Sequence, residues 1–422
     1  MAKAVVPARG MRDILPKDKA KRDAVLDTIR ATYRRNGFAE IETPAIEPLS
    51  RLRSNQGGEN ESMLFEILRR GLEPTEPLLT ADASDLALRY DLTVPLTRFY
   101  ASHAAELPTV FRALQIGSVW RAERPQKGRY RQFTQCDIDI IGEPGILAEV
   151  DLIVSTLAAL DALGMGADVT LLVNDRRVLQ DLLEAAGVPH AAVPETLIAL
   201  DKLDKIGRDG VLAEIARKEL ASDDAATLLL DTVQGLHGQG GVGDEPLRTG
   251  RIVVGDREVG LYDLPEIVRA VAAVLPTARV VLDATLVRGM GYYTGPIFEV
   301  RHAASSGSVA GGGRYDGVVG KWLGRDVPAC GFSIGFERII DLLPDPATDG
   351  RRIALLHGAD DSPAELLVLR ADLQADGAAV TLVRPPRKTT RAFYDGLVGE
   401  GFTHVADARA EDPRALRELA RA

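Results

Sequence analysis

Five cations crowd the middle of the segment "WRAERPQKGRYRQFTQCDIDII", Trp120 to Ile141: Arg121, Arg124, Lys127, Arg129 and Arg131. The chain around them is acidic, with a formal net charge of -10. Two carboxylates, Asp137 and Asp139, close the run. Residues alternate on both sides of the Pro/Gly-punctuated stretch "RPQKGRY", which predicts an antiparallel hairpin with a long basic loop. In its second strand Arg129, Arg131, Phe133, Gln135, Asp137 and Asp139 share one parity and so one face. In the first, Arg121 and Glu123 share a parity of their own. Guanidinium forks bind phosphate oxygens bidentately, an aromatic ring can stack on a base, and Asp139 can pair with a cation. The surface therefore suits a ligand that is anionic at one end and an ammonium at the other. A solvated, salt-bridged hairpin would carry the same residues.

A second constellation is "LVRGMGYYTGPIFEV". Arg288 is expected to end an apolar strand, where a buried guanidinium needs an anionic partner, protein or ligand. Tyr292 and Tyr293 are expected to begin the next strand on opposite faces. Their hydroxyls both donate and accept, which suits an imidazole or an amide. A third is "AGGGRYDG", Ala310 to Gly317, read as a glycine-rich turn whose three consecutive glycines permit close backbone approach or positive φ. It lacks a Walker-A lysine and a dinucleotide-binding context. "GQGGVG", Gly238 to Gly243, follows a helical segment and reads as a surface loop. Arg338, in "GFSIGFERII", stands near a strand-to-helix junction. There is no HExxH, no GxSxG and no Cys/His spacing for a metal. The two cysteines, Cys136 and Cys330, have no CxxC partner, so neither a zinc site nor a disulfide framework is expected.

These residues must be held by elements that the periodicity predicts. "KRDAVLDTIRATYRRNGF" is an amphipathic helix stopped at Asn36-Gly37, with Val25, Leu26, Ile29 and Tyr33 on one face. "FAEIETPAIEPL" is a strand broken at Pro44. "GILAEVDLIVSTLAALDALG" is a helix and "ADVTLLVN" a strand. "RRVLQDLLEAAG", "PETLIALDKLDKIG" and "RDGVLAEIARKEL" open a helical block that runs to about residue 236. Strands return at "ARVVLDATLVRG" and "YYTGPIFEVR", and "VPACGFSIGFERIIDLL" is a strand running into a helix. "LPDPATDGRR" is a linker, and alternating strands and helices after it predict a small α/β unit. A chain of 422 residues exceeds one ordinary core. No apolar run reaches a membrane span and no secretory signal opens the chain, so a cytoplasmic protein with no membrane partner is expected. The acidic balance, pI about 5.3, argues against a generic nucleic-acid binder but leaves room for a local basic patch.

In order along the chain, these motifs resemble one family. "GFAEIETPAIEPL", "RAERPQKGRYRQFTQ" and "GFSIGFERII" are similar to motifs 1, 2 and 3 of class II aminoacyl-tRNA synthetases. "LVRGMGYYTGPIFE" and "AGGGRYDG" resemble the two histidine-specific motifs of histidyl-tRNA synthetases. "ALDKLDKIGRDGV" and "ARGMRDILP" also resemble that family. The resemblance implies an α/β (α+β) fold. An antiparallel-sheet class II catalytic domain would span residues 1–345, interrupted by a helical insertion at about 176–275. A shortened α/β anticodon-binding-like domain would span 350–422.

It further implies ATP-dependent activation of L-histidine to histidyl-adenylate and transfer to the 3′ end of tRNA(His), with Mg²⁺ and a homodimer. Arg121, Glu123, Arg129, Phe133 and Arg338 would hold ATP. Asp91, Leu92, Thr93, Gln135, Asp139, Arg288, Tyr292, Tyr293 and Tyr315 would hold histidine, and Arg288 with Arg121 would act in catalysis. The metal would ride on the phosphates rather than in a protein-only site. Two departures stand out: Gly291 replaces the acid that usually precedes the paired tyrosines, and the C-terminal domain is short. Two alternatives follow from the same resemblance: a histidine-binding regulatory paralogue of histidine biosynthesis, and a ligase charging a non-tRNA acceptor. The intact Arg121, Arg288 and Arg338 favour an enzyme.

Overall fold

The computed structural model describes residues 5–53, 63–71, 83–125, 129–236, 245–287, 293–345 and 350–419. Lys127, Gly238 to Gly243, Arg288, Gly291 and Tyr292 lie outside them, as does most of the loop Arg51 to Asn60. The chain divides into two compact units: residues 1–14 with 22–343, and residues 15–21 with 344–422.

Helix α1 (Pro16–Arg35) belongs to the first unit from Arg22 onward, and its Val25, Ile29 and Tyr33 recur at helical spacing and are buried. Gly37 takes φ +83°, which ends the helix cheaply because glycine has no Cβ. Then come β1 (Ala39–Glu40), β2 (Ile46–Pro48), α2 (Leu49–Arg53), β3 (Phe65–Leu68), β4 (Ser84–Leu88) and α3 (Thr93–His103). The long hairpin is β5 (Phe111–Trp120) and β6 (Gln132–Ile141), paired from Phe111↔Ile141 to Trp120↔Gln132. It is followed by α4 (Leu147–Ala162), β7 (Val169–Asp175), α5 (Arg176–Ala185), α6 (Val193–Leu200), α7 (Leu203–Arg217), α8 (Asp223–Leu236) and α9 (Glu245–Thr249). A second hairpin, β8 (Arg251–Val254) and β9 (Arg257–Gly260), precedes α10 (Leu264–Val274) and β10 (Arg279–Leu282). The unit closes with β11 (Pro296–His302), β12 (Ser308–Arg314), α11 (Asp316–Leu323), β13 (Ala329–Gly335) and α12 (Phe336–Leu342).

Eight of these strands form one sheet in the order β1-β5-β6-β13-β12-β11-β7-β10. Its pairings are antiparallel except β1 with β5 and β7 with β10. The two faces have different fates. Cys136, Ile138 and Ile140 of β6 join Leu114 of β5 in a core built with α1 and α4. Strand alternation then turns Gln135, Asp137 and Asp139 to the opposite face. Part of that face is roofed by α3 and α11 through Leu96, Tyr100, Val318 and Val319. The polar residues of β6 thus lie on a sheet surface that helices cover only in part.

Several expectations are corrected. "AGGGRYDG" is not a turn: Gly311, Gly312 and Gly313 run through the interior of β12 in extended conformation. The glycines are needed for close approach instead. A Cβ on Gly312 would lie 2.1 Å from the Gly331 carbonyl oxygen, and one on Gly313 2.6 Å from that of Pro296. The strand expected to reach Arg288 stops at Leu282. There the Asp283 carboxylate accepts from the Thr285 N–H at 2.8 Å and its hydroxyl at 2.6 Å, forming a local turn that competes with the ladder. Tyr293 precedes β11 rather than opening it, because Thr294 N–H is drawn to the Arg314 carbonyl at 2.8 Å. "PETLIALDKLDKIG" is broken after Leu200, and Gly207, at φ +68°, kinks the following helix.

The second unit contains β14 (Arg352–Leu356), α13 (Pro363–Gln374), β15 (Ala379–Val383), α14 (Arg391–Gly399), β16 (His404–Asp407) and β17 (Arg417–Glu418). Its sheet order is β15-β14-β16-β17, with β14 parallel to both neighbours. Ile353 and Leu355 pack to one side of β14, Ala354 and Leu356 to the other. This is the two-sided burial expected of a parallel strand between helices.

Candidate active site

At the inner end of the open face, Asp139 is buried, 3 % exposed. Its Oδ1 accepts the Tyr315 hydroxyl at 2.6 Å. Register explains why there is room. Gly331 of β13 lies directly opposite Asp139, and a Cβ there would sit 2.0 Å from Oδ1. Burial, offset in part by the tyrosine and reinforced by Asp91, pushes the Asp139 carboxyl up to about 7. Asp91 precedes α3, and its Oδ1 accepts the Val94 N–H at 3.1 Å. Leu92 beside it is buried at the helix N-cap, and Thr93 opens the helix half-buried. Burial raises Asp91 to about 6 against the opposing pull of Val94 and of the Arg121 cation. Asp137, one strand step from Asp139, is raised well above the carboxylate range by burial and by Asp139's charge. Three buried acids on one surface make a site that is short of positive charge.

Gln135 continues the row. Its Nε2 donates to Ser333 Oγ at 3.1 Å, and that hydroxyl donates in turn to Asp137. Among the described residues, Gln135 Oε1 is buried with no hydrogen-bond partner. Tyr293 lies over Gly313, whose added Cβ would stand 3.0 Å from the ring.

The outer end is cationic. Arg121 Nε donates to the Tyr90 carbonyl at 3.0 Å, and its guanidinium carbon stands 5.1 Å from the Phe133 ring centroid. Trp120 N–H donates to the Arg89 carbonyl, so the segment carrying Asp91 is strapped to the end of β5. Glu123 pairs with Arg129 at 3.3 Å, and its carbonyl accepts Arg131 Nε at 3.0 Å. Arg338, in the first turn of α12, bonds the Ser308 carbonyl and hydroxyl at the start of β12. The distance along β6 from Asp139 to Phe133 is six residues, about 20 Å at the strand rise.

The structure thus brings together Asp91, Asp139, Tyr315 and Tyr293 at one end and Arg121 with Phe133 at the other, with Gln135 between them on the same face of β6. Arg338 bonds Ser308 at the start of β12. Arg288 and Tyr292 fall outside the described residues.

Several neighbours were missed. Gly331 and Ser333 share a parity in "ACGFSIG", a visible signal, but their pairing with β6 is not local. Arg314 forms a buried pair with Glu149 at 2.5 and 2.7 Å, tying β12 to α4. Arg22 reaches Glu337 at 2.6 Å, and Arg12 bonds the same carboxylate while stacking on Tyr130. The "ARGMRDILP" segment thereby joins the basic hairpin to α12; Gly10 also accepts the Arg131 N–H at 2.8 Å.

A largely antiparallel sheet with an arginine just past a strand end, set over an aromatic ring, and a third motif at a strand-to-helix junction, is the architecture of class II aminoacyl-tRNA synthetases. The histidyl-tRNA synthetase family profile matches residues 10–339. The chain is 47% identical over 429 residues to the histidine–tRNA ligase of Leifsonia xyli subsp. xyli, covering 99% of each. It is 42% identical to the probable histidine–tRNA ligase of Tropheryma whipplei strain Twist, covering 90% of each. The crystal structure of histidyl-tRNA synthetase from Nostoc sp. PCC 7120 superposes with a TM-score of 0.71 at 25% identity, covering 97% of this chain and 92% of that one. The chain belongs to the histidyl-tRNA synthetase family.

Proposed function

We propose that this chain activates L-histidine with ATP and transfers the histidyl group to the 3′ end of tRNA(His). The observation that carries this reading is the polar face of β6, where Asp139, bonded to Tyr315 beside Gly331, shares a row with Gln135, whose Oε1 has no partner among the described residues. Carboxylates short of cations and a free acceptor fit an α-ammonium and an imidazole N–H. Asp91, Leu92, Thr93 and Gln135 would hold the ammonium end. Asp139, Tyr293 and Tyr315 would read the ring, with Tyr292 walling the pocket. Phe133 would stack on the adenine, Glu123 would meet its edge, and Arg121, Arg129 and Arg338 would hold phosphates. The 20 Å run of β6 suits a ligand laid out from amino acid to base.

The histidine carboxylate oxygen attacks the α-phosphorus, and pyrophosphate leaves with its electron pair. The tRNA 3′-terminal hydroxyl then attacks the activated carbonyl, and AMP leaves. No protein nucleophile is needed, so the side chains position the partners and stabilise charge. Arg121, with Nε held by Tyr90, presents the rest of its fork, and Arg288 is assigned to the same phosphate and the substrate carboxylate. Mg²⁺ would arrive on the ATP phosphates and neutralise oxygens that the arginines leave. Among the described residues no group of three His, Cys, Asp or Glu side chains forms a metal site of its own. The C-terminal unit is assigned to tRNA. A homodimer through the motif 1 region and a cytoplasmic setting complete the proposal. No helix of the described residues is long and apolar enough to cross a membrane.

The enzyme reading is favoured over a regulatory paralogue by the Arg121–Phe133 arrangement, which a histidine-binding regulator has no use for. Histidine-dependent ATP–pyrophosphate exchange tests it, and charging of purified tRNA(His) separates it from a ligase with another acceptor. Histidine binding without exchange would sink the enzyme.

A further inference from the structure

Ser333 and Asp137 have no assigned part in the reaction, yet Ser333 touches the Gln135 amide and Asp137 touches Ser333. A serine hydroxyl carries a single hydrogen. Ser333 directs it at Asp137, and its oxygen accepts from the Gln135 amide. The amide has one donor end, Nε2, and this end is turned to Ser333 at 3.1 Å. Oε1 is consequently turned away, and it is buried without a hydrogen-bond partner among the described residues. Strand register makes the relay: Gly335 lies opposite Gln135 and Ser333 opposite Asp137, so the hydroxyl sits between two consecutive same-face residues of β6. Leaving a buried carbonyl oxygen unpaired is costly, and it is tolerated where a ligand completes the bond.

We infer that Ser333 and Asp137 are positioning residues that lock the Gln135 amide with its acceptor toward the substrate, so that the pocket demands an N–H donor at that point. The inference rests on the proposed function and deepens it, since it names how the amino-acid site selects the ammonium end. An amide released from the relay can rotate and present Nε2, which repels a donor. Selection would then fall on the amino acid and not on ATP.

The test is a double-substitution cycle read by histidine-dependent pyrophosphate exchange at saturating ATP. Ser333→Ala is expected to raise the histidine KM roughly 3- to 10-fold, the scale of one net hydrogen bond, with the ATP KM unchanged. Ser333→Thr keeps the hydroxyl and should restore the wild-type value. In a Gln135→Leu background, Ser333→Ala should add little, because the residue acts through an amide that is gone. Calorimetric binding of L-histidine, without ATP, should follow the same pattern. Fully additive effects, or a Ser333→Ala protein that melts earlier while keeping its histidine KM, would overturn the relay and leave the functional reading standing. Absence of histidine-dependent exchange in the wild-type protein would overturn both.

Discussion

Asp139→Asn should trade histidine affinity for stability. The substitution keeps an oxygen for the Tyr315 hydroxyl, now 2.6 Å from Oδ1, and removes only the charge. Asp139 titrates near 3.8 in an unfolded chain and at about 7 in the fold, chiefly through burial. That displacement corresponds to about 4 kcal/mol against the ionised form. Its sign is the reverse of the common salt-bridged carboxylate. Between pH 3.8 and about 7 the unfolded chain has released the proton and the fold still binds it, so stability falls as pH rises through this window and levels off above it. The asparagine variant escapes this loss. It should gain up to about 4 kcal/mol at pH 8, with well under half of the gain left at pH 5. Asp137, raised in part by Asp139's charge, is relieved in the same direction. Histidine binding should move the other way. Losing a charge-assisted bond costs about 1.5–3 kcal/mol, a rise in the histidine KM of roughly 10- to 150-fold, with the ATP KM little changed. Urea unfolding of the ligand-free protein at both pH values, beside exchange kinetics at pH 8, measures both effects. A variant that is less stable at pH 8, or one whose histidine KM is unaltered, refutes the reasoning.

Arg121→Lys keeps a charge but loses the fork that reaches Tyr90 and a phosphate together. Turnover in adenylate formation should drop by roughly two to three powers of ten with melting unchanged, and normal turnover would remove Arg121 from the mechanism. Gly331→Ala places a methyl 2.0 Å from Asp139 Oδ1; the strain should cost about 1–3 kcal/mol in denaturant unfolding and weaken histidine binding with it. A well-folded, fully active alanine variant would show that this floor is not tight. Glu149→Ala leaves the buried Arg314 guanidinium without its carboxylate. The loss should be about 3–5 kcal/mol by urea titration, and a loss below about 1 kcal/mol would class the pair with surface bridges.

Chain-local rules determined much of this protein. Alternation in "RQFTQCDIDII" alone separates Cys136, Ile138 and Ile140 from Gln135, Asp137 and Asp139, because a strand's side chains have a period of two. Helical spacing in α1 and the positive φ at Gly37 are equally local. Only the tertiary structure decided what the polar face meets. "AGGGRYDG" looks like a turn because its glycines weaken any strand, and the neighbouring backbones override that preference by standing where Cβ atoms would be. The β10 strand ended early because the Asp283 carboxylate captured the backbone. Asp139's elevated titration, its tyrosine and the Ser333 relay all arise from strands paired about 190 residues apart in sequence. Residue type and spacing specify a face, but burial and cross-strand neighbours set its electrostatics, since desolvation depends on what covers a charge and not on the chain that carries it.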